Sequence, residues 1–432
     1  MMVSTDTEKR TIYVILTDEE KSMLAGEKGP GIQRAIELLV KLGESFDAKR
    51  LVPITYGHIS YDFSPEKYWD LMTEGLEKTL HRVTTHPSFS PEVWKERGLP
   101  FADRWIGEHE RKLERFKELG WLRTETCAEY LIGIVPGKGD IVPMGGSCMQ
   151  VANNSLFGAR VDRMGILVSL AAAVTGRTPL MGLLLPENRF ARHVVELDNL
   201  DVSDWTLSHY HCLGYYIGDQ VPGFKPVAVN GLPPNLHFDF ARALVISMPT
   251  SGSVTLAHIV GTTPEAPTLE AALGGNQPEH VIRVGKREMS QTWERLNVWD
   301  DDRVEHVAFG CPHSTIDEIG RIANLVEGNK IKTTMLIGAS APVQALARRQ
   351  GWADDIERSG GHFEPVCPSI TNPFTRPDIA GEKQAKSAAT DSARCAHYLS
   401  TVCGVKVFFG TEKECVSAAI TGRWQGDTPQ WK

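Results

Sequence analysis

Residues 304–338 read VEHVAFGCPHSTIDEIGRIANLVEGNKIKTTMLIG. VEHVAFGC (304–311) has the length and apolarity of a buried strand, and KTTMLIG (332–338) has the same character. Between them Ser314 with Asp317, or Thr315 with Glu318, forms a capping box for a helix running to about Glu327. The pattern continues with a helix over APVQALARRQG (341–351), a strand over FEPVC (363–367), a strand over KVFFG (406–410) and a helix over ECVSAAITG (414–422). Strand and helix in alternation predict a mostly parallel sheet flanked by helices, an α/β fold.

Upstream the sequence changes character. Residues 16–42 read as helical: Thr17 and Glu20 form a capping box, and Ile32, Ala35, Ile36, Leu39, Val40 and Leu42 share a face. LVPIT (51–55) reads as a short strand. Pro100 to Gly120 reads as a charged outer helix with Trp105, His109, Leu113 and Phe116 near one side. Residues 126–195 are rich in Gly, Asn and Ser, which suits backbone-flexible binding loops. Within them Gly165–Gly176 encloses an Ala-rich apolar helix expected to be buried, followed by the turn-like GRTPL and LPENR.

The 432 residues suggest three regions: 1–125, helical with some α/β character; 126–300, a Gly/Asn-rich site region and an α/β domain; and 301–432, a C-terminal α/β domain. With 46 Lys and Arg against 54 Asp and Glu, the net charge of −8 argues against nucleic-acid binding through bulk phosphate attraction. It leaves room for an anionic small molecule held by a few placed arginines. The longest apolar stretch, Ile166–Val174, is too short to span a bilayer, and Met1–Arg10 is polar, so neither a membrane association nor a secretory signal is expected. Eight cysteines with no CxxC motif do not suggest a disulfide scaffold. The expected location is the cytoplasm, with reduced thiols.

Three of those cysteines fall at junctions. Cys311 ends a predicted strand just before a capped helix, where ligands bind in open α/β sheets and where a helix start favours thiolate. Cys367 ends another predicted strand, and Cys127 opens the Gly/Asn-rich segment, while Cys403 and Cys415 sit in apolar stretches as core filler. The gaps from 127 to 311 and from 311 to 367 match no local zinc pattern, so spacing alone leaves buried cysteines and metal ligands both open.

Longer stretches carry a resemblance. LTDEEKSMLAGEKGPGIQRAIELLVKLG (16–43), AKRLVPITYGHIS (48–60), NNSLFGAR (153–160), LAAAVTGRTPLMGLLLPENR (170–189) and HCLGYYIG (211–218) are similar to the large subunit, or catalytic domain, of aconitase X. So are SGSVTLAHIVGTTPEAPTLEAAL (251–273), FGCPHSTIDEI (309–319), TDSARCAHYL (390–399) and VKVFFGTEKECVSAAITG (405–422). The resemblance implies an aconitase-like multi-domain core with an iron–sulfur cluster at the domain junction. It implies a hydro-lyase that dehydrates a small hydroxy acid, with cis-3-hydroxy-L-proline the first expectation. Mevalonate 5-phosphate or another hydroxy acid is the alternative, and a cluster-less scaffold subunit the reading from a different class.

Carried over, the cluster ligands are Cys127, Cys311 and Cys367, holding a [2Fe–2S] or [4Fe–4S] cluster with one iron open to substrate. Ser147, His58 and His313 are the expected catalytic residues. Asn154, Arg160, Asn188, Arg189, Ser251 and Arg394 are the expected substrate-binding residues. The swivelling domain of the superfamily is expected on a separate small subunit that closes the site and brings a serine. Two positions depart from the family pattern: Gly146 stands where relatives carry Glu, with Cys148 two residues on, and Pro365 stands where they carry Asp. Arg394 replaces a Lys.

Overall fold

The computed structural model describes residues 13–60, 66–79, 81–88, 103–297 and 301–431. Residues 100–102 of the charged helix and the side chain of Trp105 lie outside the described residues, as does Asp300.

The C-terminal third folds as its alternation predicts. Strands β9 (His306–Phe309), β10 (Thr334–Gly338), β11 (Gly361–Glu364), β12 (Ser387–Thr390) and β13 (Lys406–Phe409) form one sheet in the order β11-β10-β9-β12-β13, every pair parallel. Thr315 and Glu318 make the capping box of helix Ile316–Val326, and Thr411 and Glu414 that of helix Glu412–Thr421. Phe309, Ile337 and Phe408 pack with Ile319, Ile322 and Val416 of those helices as one core. The sequence reading passes over β12, which the structure places between β9 and β13. FEPVC is not a strand throughout: β11 ends at Glu364, before Pro365, which has no N–H to continue a ladder.

A second parallel sheet, order β7-β6-β5-β8, is built from β5 (His193–Leu197), β6 (Val227–Asn230), β7 (Ala257–Ile259) and β8 (His280–Val284). Helices Leu207–Gln220 and Phe238–Ser251 pack closely together because Gly214 and Gly218, one turn apart, present no side chain. A Cβ on either would run into the Leu244 or Met248 carbonyl of the facing helix.

The N-terminal part holds two small sheets. β1 (Leu51–Pro53) pairs antiparallel with β4 (Arg177–Pro179), so GRTPL is partly strand. β2 (Tyr56–Ile59) pairs parallel with β3 (Arg82–Thr85). The expected single helix over 16–42 is two, Asp18–Leu24 and Pro30–Ser45. Gly26 and Gly29 adopt left-handed backbone between them, and Pro30 starts the second where its missing N–H costs nothing. The Thr17–Glu20 capping box is present. Helix Asp103–Leu119 buries His109, Leu113 and Phe116 on one face. Helix Ile166–Thr175 is capped by Gly165 and Gly176 and largely buried, as its composition predicts. Among the described residues no helix is long and apolar enough to cross a membrane.

One continuous core joins these parts. Tyr130, Met144 and Met149 from the first, Leu213, Leu244 and Ile246 from the second, and Ala308, Ala388 and Phe409 from the third belong to a single buried cluster. Cys127, Cys148, Cys311 and Cys395 sit within it.

Candidate active site

Three strand exits of the five-stranded sheet supply one wall of a narrow pocket. After β9 the chain passes Gly310, whose left-handed backbone and contact with the Gly338 carbonyl exclude any side chain. Cys311 follows, joined to Pro312 by a cis peptide. After β11 the chain turns at Pro365 to Cys367. After β12, Ser392 caps helix Ala393–Thr401 and donates its hydroxyl to the Cys311 carbonyl at 2.6 Å, which fixes Arg394 beside the thiols. The opposite wall comes from the N-terminal part: His86 beyond β3, Cys127, and Cys148 in the first turn of helix Ser147–Phe157. The two walls are stitched together where Ser88 N–H donates to the Pro365 carbonyl at 3.1 Å.

His313 organises the thiols. Its backbone N–H donates to Cys127 Sγ at 3.4 Å, its Nδ1 lies 3.0 Å from the Thr126 hydroxyl, and its Nε2 lies 3.1 Å from the Val366 carbonyl. A carbonyl only accepts, so Nε2 carries the proton and Nδ1 accepts from Thr126. One neutral ring thus holds the residue before Cys127 and the residue before Cys367, two positions after Cys311. Burial pushes its pKa down to about 4, in keeping with that neutral state. The loop is braced from the second sheet's layer: Arg242 Nη1 donates to the His313 carbonyl at 2.9 Å while Nη2 pairs with Glu318, and the Thr315 hydroxyl donates to Asp239 at 3.2 Å.

All eight cysteines are free thiols. Cys311 Sγ and Cys367 Sγ lie 3.3 and 3.2 Å from the same Ser369 hydroxyl. Cys311 does not become the thiolate expected at a helix start. The helix begins five residues later, at Ile316, and its start is already capped by Thr315 and Glu318. A hydrogen bond with Cys367 favours the charged form of Cys311, but a hydrogen bond with Cys395 and burial outweigh it and push the thiol up. A hydrogen bond with Cys311 and burial push Cys367 up as well, and one with Cys148 does the same to Cys127. Cys148 moves the other way: its hydrogen bond with Cys127, then the Arg394 charge, hold it below the ordinary thiol range.

Among the described residues no three His, Cys, Asp or Glu side chains enclose a single metal ion. The thiols stand instead on facing walls of one pocket, where the His313 N–H donates to Cys127 Sγ, Cys311 Sγ donates to the Ser369 hydroxyl, and Cys367 Sγ lies against that same hydroxyl. Buried thiols reluctant to ionise alone are deprotonated when a metal supplies the countercharge. A pocket lined by several thiols has the donor chemistry that an iron–sulfur group requires.

Arg394 is the one cation lining this pocket among the described residues. Its Nη1 donates to Thr250 at 3.0 Å and its Nη2 to the Ser147 hydroxyl at 3.3 Å, and the guanidinium lies 4.9 Å from the Tyr398 ring. No carboxylate is paired with it in these contacts, which leaves its charge for an anion.

The other expected substrate residues do not line the pocket. Arg189 is buried and spent on Glu265, on the Asn154 Oδ1 at 2.9 Å and on the Leu183 carbonyl at 3.1 Å. Asn154 bridges Val161 and Thr255, Arg160 donates to the Leu184 carbonyl, and Ser251 donates to the Tyr215 carbonyl. Exposed Asn188 donates to the Gly182 carbonyl. His58 is wholly buried and touches the pocket only through His86. The reading from sequence missed His86, Cys395 and Ser369 here. His86 follows β3 directly in THPS (85–88), and its N–H donates to the Ile59 carbonyl next to His58, a neighbourhood only the parallel β2–β3 pairing creates.

Comparison with known proteins defines the class. Models of the aconitase X first, second and third domains match residues 13–187, 191–294 and 304–421. The chain belongs to the aconitase X family. It is 30% identical over 408 residues to the phosphomevalonate dehydratase large subunit of Methanocaldococcus jannaschii, covering 92% of this chain and 98% of that one. It is also 30% identical over 423 residues to the cis-3-hydroxy-L-proline dehydratase of Pseudomonas aeruginosa, covering 95% of this chain and 71% of that protein. The crystal structure of Thermococcus kodakaraensis aconitase X in its holo-form superposes with a TM-score of 0.81 at 29% identity, over 94% of this chain and all of that one. These relatives are dehydratases, and the chain is accordingly a carbon–oxygen lyase.

Proposed function

We propose that the chain is the catalytic subunit of an iron–sulfur-dependent dehydratase acting on a small hydroxy acid of the cis-3-hydroxy-L-proline type. The observation that carries this is one pocket lined by Cys127, Cys311, Cys367 and the carboxylate-free Arg394. When bound, an iron–sulfur group with three protein ligands supplies an open Lewis-acidic iron that polarises the substrate hydroxyl. Arg394 holds the substrate carboxylate, with the bidentate geometry a guanidinium offers. Ser147, fixed by the same guanidinium, presents its hydroxyl beside that carboxylate. His313 keeps the three thiols in register and takes no proton at neutral pH.

A single lining cation favours a substrate with one carboxylate over mevalonate 5-phosphate, whose phosphate needs cationic partners of its own. A small subunit is proposed to complete the site, because a relative named as a large subunit is matched over 98% of its length. The test is anaerobic co-expression with that subunit, followed by iron analysis and assay of water loss from cis-3-hydroxy-L-proline and mevalonate 5-phosphate. Visible cluster absorbance with turnover of the hydroxyproline supports the proposal. Turnover of the phosphate ester alone corrects the substrate, and a colourless, iron-free protein overturns the cofactor.

A further inference from the structure

Behind the thiol pocket runs a chain of polar side chains that the thiol chemistry does not use. Glu129 is wholly buried. One of its oxygens accepts from the Tyr56 hydroxyl at 2.8 Å, and the other lies 2.7 Å from His58 Nδ1, with the Thr84 hydroxyl 2.8 Å from the same nitrogen. His58 Nε2 lies 3.3 Å from His86 Nδ1, the two rings nearly perpendicular. A carboxylate only accepts, so His58 carries its proton on Nδ1 and offers a bare Nε2. The bond between the rings is then donated by His86 Nδ1–H. This leaves the lone pair of His86 Nε2 without a hydrogen-bond partner among the described residues, on a side chain that lines the pocket.

Gly146 makes room for this ring. A Cβ at position 146 would lie 2.9 Å from His86 Cε1 and 3.6 Å from Met149 Sδ. The charged and titratable groups facing His86 are His58, His313 and Arg394, with the thiols of Cys127 and Cys148 on the same pocket wall. The half-buried ring sits near His58, His313 and the Arg394 guanidinium, and burial and those neighbours disfavour a charge on it at rest, which leaves it in the neutral state able to accept a proton.

We propose that His86 is the proton acceptor of the dehydration, with His58 and Glu129 as positioning residues that orient its ring and share the charge it receives. The inference rests on the dehydratase reading above and places the base on this chain rather than on its partner. His86 Nε2 takes the proton from the carbon neighbouring the C–OH. The C–H electron pair becomes the new C=C bond, and the C–O pair leaves with hydroxide. The proton on His86 then neutralises that hydroxide, so one water leaves per substrate and nothing is oxidised or reduced. The arrangement matches the general logic of a carboxylate that fixes the tautomer of an imidazole base.

The experiment uses the anaerobically prepared complex with its small subunit. Iron content and cluster absorbance of His86→Ala are expected to equal wild type, which separates a lost base from a lost cofactor. Its kcat should fall by about 10²–10⁴-fold with KM nearly unchanged, and added imidazole should restore part of it. In ¹⁵N-histidine spectra of the full chain, both His58 and His86 should be protonated on Nδ1, and Gly146→Ala should disturb the His86 signal. A His86 ring protonated on Nε2 would overturn the proposal whatever the activity. If wild type turns over substrate and His86→Ala keeps its kcat, the proposal falls alone. If wild type dehydrates neither acid, the functional reading falls and takes the proposal with it.

Discussion

The two large sheets are built alike and do different things. Both are wholly parallel and both are flanked by helices. The strands of the five-stranded sheet lead out into Gly310–Cys311, Pro365–Cys367 and Ser392–Arg394. Those of the four-stranded sheet lead out into Asp198, Gly231, Val260 and Gly285, none of which lines the thiol pocket. The cysteine of that second layer, Cys212, is packed in the core with its thiol toward the Met289 carbonyl. Its contribution to the site is indirect: helix Phe238–Ser251 sends Arg242 and Asp239 to brace the loop after Cys311. A parallel sheet therefore provides a place for chemistry, and the residues at its strand exits decide whether any occurs.

The largest effects should separate the thiols of the two layers. Replacing Cys127, Cys311 or Cys367 by Ala should reduce iron bound after anaerobic reconstitution to background, read by iron and sulfide analysis and visible absorbance. Cys212→Ala should bind iron like wild type. Equal iron in all four variants would break the distinction between pocket and packing thiols.

The arginines give the next test. Arg394→Ala should cost about 10²–10³ in kcat/KM, roughly 3–4 kcal/mol of transition-state stabilisation, with iron content unchanged. Arg189→Ala leaves Glu265 without its buried partner. It should cost about 3–5 kcal/mol of stability in denaturant unfolding while the folded fraction keeps its kcat/KM. The reverse pattern would mean that Arg189, not Arg394, meets the substrate. Within the second layer, Gly214→Ala should cost about 1–3 kcal/mol by forcing the two helices apart, read from the unfolding midpoint. An unchanged midpoint would show that the close approach is dispensable.

The sequence makes the five-stranded sheet readable because its strands are apolar, its helices carry capping boxes, and the two alternate at regular intervals. β12 escapes because SAAT (387–390) is short and small rather than obviously apolar. The four-stranded sheet escapes for a related reason: HVVEL, VAVN, AHI and HVIRV are brief, and β8 is largely exposed, so no periodicity accumulates. At the site, the three thiols and Arg394 were expected from family-like motifs, and the structure brings all four to one pocket. The remaining expected arginine and asparagine contacts were not separable from structural ones. A guanidinium bound to Glu265 and one facing a pocket look the same in sequence, and only the fold says which carboxylates lie nearby. His86 had no local signal at all, since its partner His58 lies 28 residues away across a parallel strand pair.

The smallest effect concerns pH and the loop that carries Cys367. His306, on β9, is wholly buried, and burial pushes its pKa down to about 3. Its Nε2 accepts from the Asn372 amide at 2.9 Å, and its Nδ1 lies 2.7 Å from the Thr334 hydroxyl. The amide cannot reverse, because Asn372 Oδ1 accepts from Phe374 N–H at 2.9 Å and Nδ2 also donates to the Pro368 carbonyl at 2.8 Å. A second proton on the ring would therefore oppose a donor with a donor, next to the turn that follows Cys367. The unfolded histidine titrates near its ordinary 6.5, so between that pH and about 3 the unfolded chain binds a proton that the folded chain refuses. The stabilisation is whole above about pH 6.5 and is lost as pH falls, at roughly 1 kcal/mol per pH unit for this one group. His211, in the second layer, is also pushed down to about 3, but it binds the Ser247 hydroxyl at 2.8 Å, away from the thiols. Urea midpoints measured from pH 7 to pH 5 should fall for wild type. The fall should be shallower for both His306→Gln and His211→Gln. Only protonation at His306 should also speed iron loss at pH 5, so His306→Gln should retain its iron longer than wild type while His211→Gln does not. Identical iron-loss rates in all three proteins would show that the acid sensitivity of the two layers does not differ.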